Sequence, residues 1–147
     1  MTAPSIGVKG LLVAASPAIV VDAAVNASSD WACFIGKMPD GPSKCVSITD
    51  SGGLPSDPKW LLDFPTVSML VRSSDYLSGY NKMKDIREAV LGIHAPLTIG
   101  GDVWRGIVAI GNFAHIGYDP KDRALFSANY RLYVEPAAST TENRLPM

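Results

Sequence analysis

Two runs of alternating residues between Lys44 and Tyr76 constrain the fold of this 147-residue chain more than any other feature. In each run every second residue is apolar, whereas most of the residues between them are polar. The apolar positions are Val46, Ile48, Val67, Met69 and Val71. A period of two is typical of a strand that has one covered face. We therefore predict two strands, each of which buries one face.

A segment rich in glycine and proline separates the two predicted strands and reads DSGGLPSDP from Asp50 to Pro58. Glycine favours open backbone conformations and proline removes a backbone donor, so neither is expected to continue a strand ladder. The predicted loop is longer than a hairpin needs. Loops of this length in compact domains are usually functional or mobile. Residues 51–62 are therefore the first candidate for a contact surface.

Trp60 and Leu61 make this predicted loop a candidate for binding a partner. Apolar side chains exposed on a loop are a liability for a monomer, and a partner surface would cover them. Tryptophan is also a common anchor residue at protein interfaces. The alternative is that these residues fold back over their own sheet.

The strongest helix prediction covers the residues after the second strand. Ser73-Ser74-Asp75 offers a helix start, and Gly92 offers a stop. The apolar residues between them recur every three or four positions and are Tyr76, Tyr80, Met83, Ile86 and Val90. We interpret the two tyrosines as packing against the sheet rather than as a ligand site.

The first thirty residues are predicted to be mainly helical. Thr2 can cap a first helix that has Pro4 in its opening turn. Ser16-Pro17 is typical of a second helix start, and this second helix would run to about Ala27. The valine-rich sequence within it is also compatible with a strand.

The remaining periodic segments predict further strands. They are Trp31–Lys37, Val103–Ile110, Phe113–Tyr118 and Ala124–Val134, and the turn-forming pair Gly111–Asn112 lies between the second and the third. The element order predicts a single α+β domain over residues 1–135, with a mostly antiparallel sheet and helices on one face. Residues 136–147 are polar and small, and we expect them to be disordered in a free monomer.

Composition narrows the function classes. A chain of this length with 47% apolar residues fits one globular domain. The formal net charge of −1 and the absence of a basic run argue against a sequence-reading DNA-binding protein. Cys33 and Cys45 lack metal-binding spacing, and we predict buried thiols in neighbouring strands, with a disulfide as the alternative.

The N-terminal segment also resembles a secretory signal, because Lys9 precedes the apolar sequence LLVAASPAIVV. Pro17 interrupts the apolar run and Asp22 precedes the apparent cleavage point, and both argue against cleavage. The run is too short and too broken to span a bilayer. We therefore expect no membrane segment.

The sequence offers few groups for catalysis. Its histidines are His94 and His115, and neither lies in a catalytic motif. Loop aspartates such as Asp50, Asp102 and Asp119 could in principle hold a metal ion. However, residues 119–123 mix both charges and are typical of a solvated turn with local ion pairs. We expect no catalytic residue, no metal and no cofactor.

Several motifs, taken in order, resemble the tail terminator proteins of long-tailed bacteriophages, which are also called minor capsid proteins. The motifs lie within residues 31–135, and their order and spacing carry the resemblance. They are Met38-Pro39-Asp40, Asp50-Ser51-Gly52-Gly53-Leu54-Pro55, Phe64-Pro65, Val71-Arg72, Asp75-Tyr76, Gly117-Tyr118-Asp119 with Arg123, and Ser127-Ala128-Asn129-Tyr130-Arg131. The first thirty residues depart from the family pattern.

The resemblance implies a small α+β domain that closes into a hexameric ring in the neck of the virion. The ring would cap the tail tube, face the head connector and let DNA pass through its channel, after assembly in the host cytoplasm. The implied interface and structural residues are Gly52, Gly53, Trp60, Leu61, Arg72, Asp119 and Arg123. In this role the glycines would shape the loop, Arg72 would close its strand, and Asp119 with Arg123 would stabilise the turn before the last strand.

Two other functions stay open from the sequence. The signal-like N-terminus and the two cysteines favour a small secreted or periplasmic domain, either a binding module or a minor hydrolase. The loop aspartates favour a metal-dependent enzyme.

Overall fold

Eight strands and two helices make up the computed structural model, which describes residues 3–15, 17–57, 62–92 and 96–136. The helices are α1 (Pro4–Ala14) and α2 (Tyr76–Leu91). The strands are β1 (Val21–Asp22), β2 (Ala32–Ile35), β3 (Cys45–Asp57), β4 (Leu62–Ser73), β5 (Leu97–Ile99), β6 (Asp102–Ala109), β7 (Ala114–Tyr118) and β8 (Ala124–Glu135). Trp60, Leu61, His94 and the predicted tail from residue 137 lie outside the described residues.

All of these strands belong to one sheet in the order β1-β2-β3-β4-β8-β6-β5, and β7 pairs with β8. The pairs β1–β2 and β2–β3 are parallel, and the other pairs are antiparallel. The predicted α+β class with a mostly antiparallel sheet is therefore confirmed. β8 is the central strand because β4 lies along one side of it, whereas β6 and β7 share the other side.

β6 and β7 together form one interrupted strand along β8. Ala109 lies opposite Tyr130 and Ala114 lies opposite Ser127, so both segments run in the same direction. The Ile110 amide still donates a hydrogen bond to the Asn129 carbonyl, at 2.9 Å. Gly111–Asn112 therefore interrupts a strand at this point and does not reverse the chain.

Both helices cover the same face of the sheet. Val8 and Leu12 of α1 join Met83, Ile86 and Val90 of α2 in a single core cluster with the inward residues of the sheet. These inward residues are Val46, Ile48, Val67, Met69, Val71, Phe126, Ala128, Tyr130, Leu132 and Val134. The predicted placement of the helices on one face is confirmed, and the opposite face of the sheet carries no described helix.

The first helix is correctly predicted, but its cap comes from another part of the chain. Ala3 occupies the cap position and has no side-chain acceptor, and Thr2 lies outside the described residues. The Asp50 carboxylate of β3 accepts hydrogen bonds from the Ser5 amide (2.9 Å) and the Ser5 hydroxyl (2.7 Å). A carboxylate is favoured at a helix N-terminus because it satisfies free amides there. Asp50 thus joins α1 to the sheet.

The predicted second helix over residues 17–27 is wrong. This segment contains only the two-residue strand β1, which is followed by turns. Its backbone amides pair with β2 instead, because the Val21 amide donates to the Trp31 carbonyl at 3.0 Å. The Lys82 ammonium of α2 donates to the Ile19 carbonyl at 2.9 Å. Tertiary partners therefore override the helical pattern of the local sequence.

The predicted loop after Asp50 is also wrong over residues 50–57, because β3 continues through them as part of a long hairpin with β4. The pairing register shifts between Ser51 and Leu54 and again between Leu54 and Asp57. Such bulges accommodate glycine and proline in a strand. We call residues 51–57 of β3 and residues 62–66 of β4 the arm.

The short strand β5 was not predicted from the sequence.

Cys33 and Cys45 lie on neighbouring strands, as predicted, and both are buried free thiols. Cys33 is opposite Val46 and Cys45 is opposite Ala32, so the two side chains leave opposite faces of the sheet. This geometry excludes the alternative of a disulfide between them. Burial raises the pKa of Cys33 to about 12 and also raises the pKa of Cys45.

Both thiols are expected to react with iodoacetamide far more slowly in the folded protein than in urea. Only the thiolate is nucleophilic, and burial keeps both thiols protonated and covered. Mass spectrometry during a timed reaction measures the effect, with the urea-unfolded protein as the control. Rapid double labelling of the folded protein would contradict the described burial.

Candidate functional site

Charged residues from distant parts of the chain meet where β4 ends and β8 begins. Arg123 donates hydrogen bonds to the Asp119 carboxylate (Nε to Oδ2, 2.7 Å), the Asp40 carbonyl (2.6 Å) and the Asp40 carboxylate (3.1 Å). Lys121 forms a second ion pair with Asp40. The loop of residues 38–43 is thereby fixed to the turn of residues 119–123. We call this group of residues the charged network.

The two carboxylates of the charged network are held in their ionised forms. The hydrogen bond from Lys121 is the main reason that the pKa of Asp40 lies below its ordinary value of 3.8. Burial alone would raise the pKa of Asp119, but hydrogen bonds from Arg123 and Lys121 outweigh it and lower this pKa. These aspartates therefore serve as acceptors for cations of the same subunit.

Arg72 completes the attachment of the loop. It is only 5% exposed, and its Nη2 atom donates to the Pro42 carbonyl at 2.6 Å. Three of the residues implied by the resemblance, Arg72, Asp119 and Arg123, thus lie together at one end of the sheet. Their contacts are internal to the subunit and favour a structural role. A role of these residues in an interface stays a prediction.

The arm lies at the opposite end of the sheet. Gly53 adopts a positive φ of 83°, and a Cβ atom built on it would lie 2.2 Å from the Phe64 carbonyl oxygen. Gly52 has no atom within 4 Å of such a Cβ. Leu54 is half exposed. The structure therefore separates Gly52 and Gly53 from the charged network by the length of the sheet.

An open groove of about 480 Å³ lies beside the arm and is lined by Leu62, Arg105, Tyr133 and Glu135. Arg105 and Glu135 form an exposed ion pair at 2.7 Å. Phe64 packs edge-on against Tyr133, with ring centroids 5.6 Å apart. The groove thus combines an aromatic wall with an exposed ion pair.

A cluster of aromatic rings covers the junction between α2 and β7. Phe126 lies buried beneath it, and His115 lies 5.3 Å from Phe126 between centroids. Tyr76 and Tyr118 pack against His115 at 5.0 and 4.9 Å. Tyr80 contacts both Phe126 and Phe113. The cluster joins the hydrophobic core to the protein surface.

The outer side of this cluster is exposed, and we call Tyr76, Leu77, Tyr80 and Tyr118 the aromatic patch. Tyr76 and Tyr80 are each 43% exposed, Leu77 is 65% exposed and Tyr118 is 58% exposed. The sequence interpretation assigned both helix tyrosines to core packing, and the structure shows that they also reach the surface. Leu77 was the feature of the sequence that could have indicated this exposed surface, because it is a large apolar residue that lies outside the apolar stripe of α2.

The described residues supply no constellation typical of an enzyme. Within the described residues, no group of three or more His, Cys, Asp or Glu side chains is arranged to hold a metal ion. His115 packs among aromatic rings, and His94 lies outside the described residues. In the part of the chain that the structure describes, no helix is long and apolar enough to cross a membrane.

Comparison with known proteins supports the motif resemblance. A family model described as bacteriophage tail terminator protein matches residues 7–136, which include most of α1, the charged network, the arm and the aromatic patch. No curated protein matches the chain. The family match confirms the resemblance found in the sequence motifs, and it extends into the first thirty residues, which depart from the motif pattern.

Proposed function

This chain belongs to the bacteriophage tail terminator family, and we propose that it caps the tail tube as a homohexameric ring and joins the tube to the head connector. In this proposal the protein is a structural component of the virion neck and has no catalytic activity. It assembles in the host cytoplasm, and DNA passes through the ring channel.

One structural observation supports this function beyond the family. The two ends of the sheet differ in chemistry, because one end carries the charged network and the other carries the arm and its groove. A terminator must contact the tube on one side and the connector on the other. A subunit with two unlike ends is suited to a ring that has two different neighbours.

The net charge of −1 agrees with a channel that DNA crosses without tight binding. Strong nonspecific binding of DNA requires several lysine or arginine contacts with phosphates. The alternative of a secreted or periplasmic domain was based partly on a possible disulfide. Cys33 and Cys45 do not support it, because their side chains leave opposite faces of the sheet.

The function is tested by adding the purified protein to tail tubes assembled without it. We expect rings at one end of each tube, visible by electron microscopy, and an end to further tube growth. Mass spectrometry of purified virions should also detect the chain. The urea-unfolded protein serves as the control. A protein that stays monomeric, leaves tube ends bare and is absent from virions would overturn the proposal.

A further inference from the structure

Both edges of the sheet resist pairing with a strand of another molecule. On one edge, β7 contains a bulge between His115 and Gly117, and β5, which lies beyond β6, has only three residues. On the other edge, β1 has two residues, and the free side of β3 contains Pro55 and two register shifts. Bulges, prolines and very short edge strands block strand addition. Within the described residues, exposed side chains on the two flanks are therefore better candidates for lateral contacts than the strand edges.

The aromatic patch groups four exposed large side chains, and it lies on the flank formed by β7 and α2. If a large side chain offers about 200 Å², four half-exposed side chains leave roughly 400 Å² of apolar surface in water. An area of this size is that of the largest apolar patch on a typical monomer, and such patches are often functional. This area is about half of what one partner buries in a stable protein interface.

A ring with head-to-tail contacts uses two different surfaces on opposite flanks of each subunit. The aromatic patch lies at the β7 edge of the sheet. Val25 follows β1 at the opposite edge and is 84% exposed, the highest value among the exposed large apolar residues described. The sheet thus carries exposed apolar side chains on both flanks.

We propose that the aromatic patch of one subunit docks onto the flank around Val25 of a second copy of this chain. This inference rests on the proposed ring and identifies its subunit contact. Tyrosine suits this role because it is enriched at interface centres and combines an apolar ring with a polar hydroxyl. The ring contacts with His115 and Phe126 hold Tyr76 in place before docking.

Three single variants test the contact. Leu77→Asp alters the patch in the first turn of α2, where a carboxylate is compatible with the helix N-terminus. Val25→Asp alters the opposite flank within a turn. Ile6→Asp is the matched control, because Ile6 is half exposed in the first turn of α1. Circular dichroism and thermal unfolding verify that each variant folds.

Native mass spectrometry and sedimentation over a concentration series measure self-association. Each of Leu77→Asp and Val25→Asp is expected to weaken association about 100-fold, because each would bury an unpaired charge in the contact. Ile6→Asp should assemble like the wild type. A mixture of Leu77→Asp and Val25→Asp should form heterodimers, since each variant retains one intact flank.

Normal assembly of folded Leu77→Asp overturns the proposal, and a mixture without heterodimers overturns the assignment of the Val25 flank. Leu77→Asp that still self-associates but no longer caps tubes would show that the patch binds the tube. A wild type that stays monomeric up to ~1 mM, where even weak contacts are occupied, also overturns self-docking. The tube-capping test of the proposed function is independent of this last result.

Discussion

Phe126→Ala is expected to lower the free energy of unfolding by about 3–5 kcal/mol, the usual cost of truncating a buried aromatic residue. Phe126 is almost fully buried and lies between α2 and β7. Its ring lies 5.2 Å from Tyr76 and 5.3 Å from His115, measured between centroids. Its removal leaves a cavity that the rigid sheet cannot close. Equilibrium unfolding in urea measures the change.

Leu125→Ala is the matched control for this measurement. Leu125 is the adjacent residue of β8, points to the opposite face of the sheet and is only partly buried. Its truncation is expected to cost about 1 kcal/mol, as for partly buried sites in general. Equal losses in the two variants would show that Phe126 does not form the junction between α2 and β7.

Gly53→Ala is expected to destabilise the arm by about 2–5 kcal/mol. A left-handed backbone conformation costs a residue with a side chain about 1–2 kcal/mol, and overpacking adds about 1–3 kcal/mol. Gly53 has a φ of 83°, and its new methyl group would collide with the Phe64 carbonyl oxygen at 2.2 Å. Because this oxygen belongs to the backbone, the paired strand itself must move. Hydrogen exchange of the arm amides measures the loss of pairing.

Gly52→Ala provides the control within the same bulge. A Cβ atom at Gly52 would meet no atom within 4 Å, and its φ is not positive. We expect unchanged or slightly slower exchange, since alanine reduces the freedom of the unfolded chain. If hydrogen exchange of the arm amides were accelerated equally in both variants, the backbone conformation of Gly53 would not control the stability of the arm.

The local sequence pattern was sufficient to predict an element where the same segment also contained the residues that begin and end it. The prediction of α2 succeeded because its stripe of Met83, Ile86 and Val90 lies between a cap at Asp75 and a stop at Gly92. The Asp75 carboxylate accepts a hydrogen bond from the Ser78 amide at 3.2 Å, as a capping residue should. The strand β8 was predictable because it alternates over its whole length, and β4 was predictable from the alternation of Val67, Met69 and Val71.

The secondary-structure predictions were wrong where hydrogen-bond partners distant in the sequence determine the backbone conformation. Residues 17–27 have a helical pattern, yet Lys82 and the edge of β2 supply the hydrogen-bond partners of this segment. Residues 50–57 contain two glycines and a proline, yet they pair with β4 through bulges at the edge of the sheet. Local propensity is too weak to override such partners.

The candidate site was predictable only in part. The sequence motifs implied a contact between Asp119 and Arg123, and the structure places these residues 2.7 Å apart. The attachment of Arg123 to Asp40 joins residues 83 positions apart and has no local signature. The aromatic patch was missed because exposure of Tyr118 follows from the edge position of β7, which only the topology reveals.

The strand shared by both halves of the sheet, β8, is also the last of the described elements in chain order. While the chain is being synthesised, the β3–β4 hairpin can form early, but β4 and β6 have no common neighbour until β8 leaves the ribosome. Contacts between remote positions form late because the closure of a long loop precedes them. A chain that stops before Ala124 cannot complete its core or support Tyr118 on β7. A truncated chain that lacks β8 is therefore not expected to present a formed aromatic patch, even though α2 and β7 are both present in its sequence.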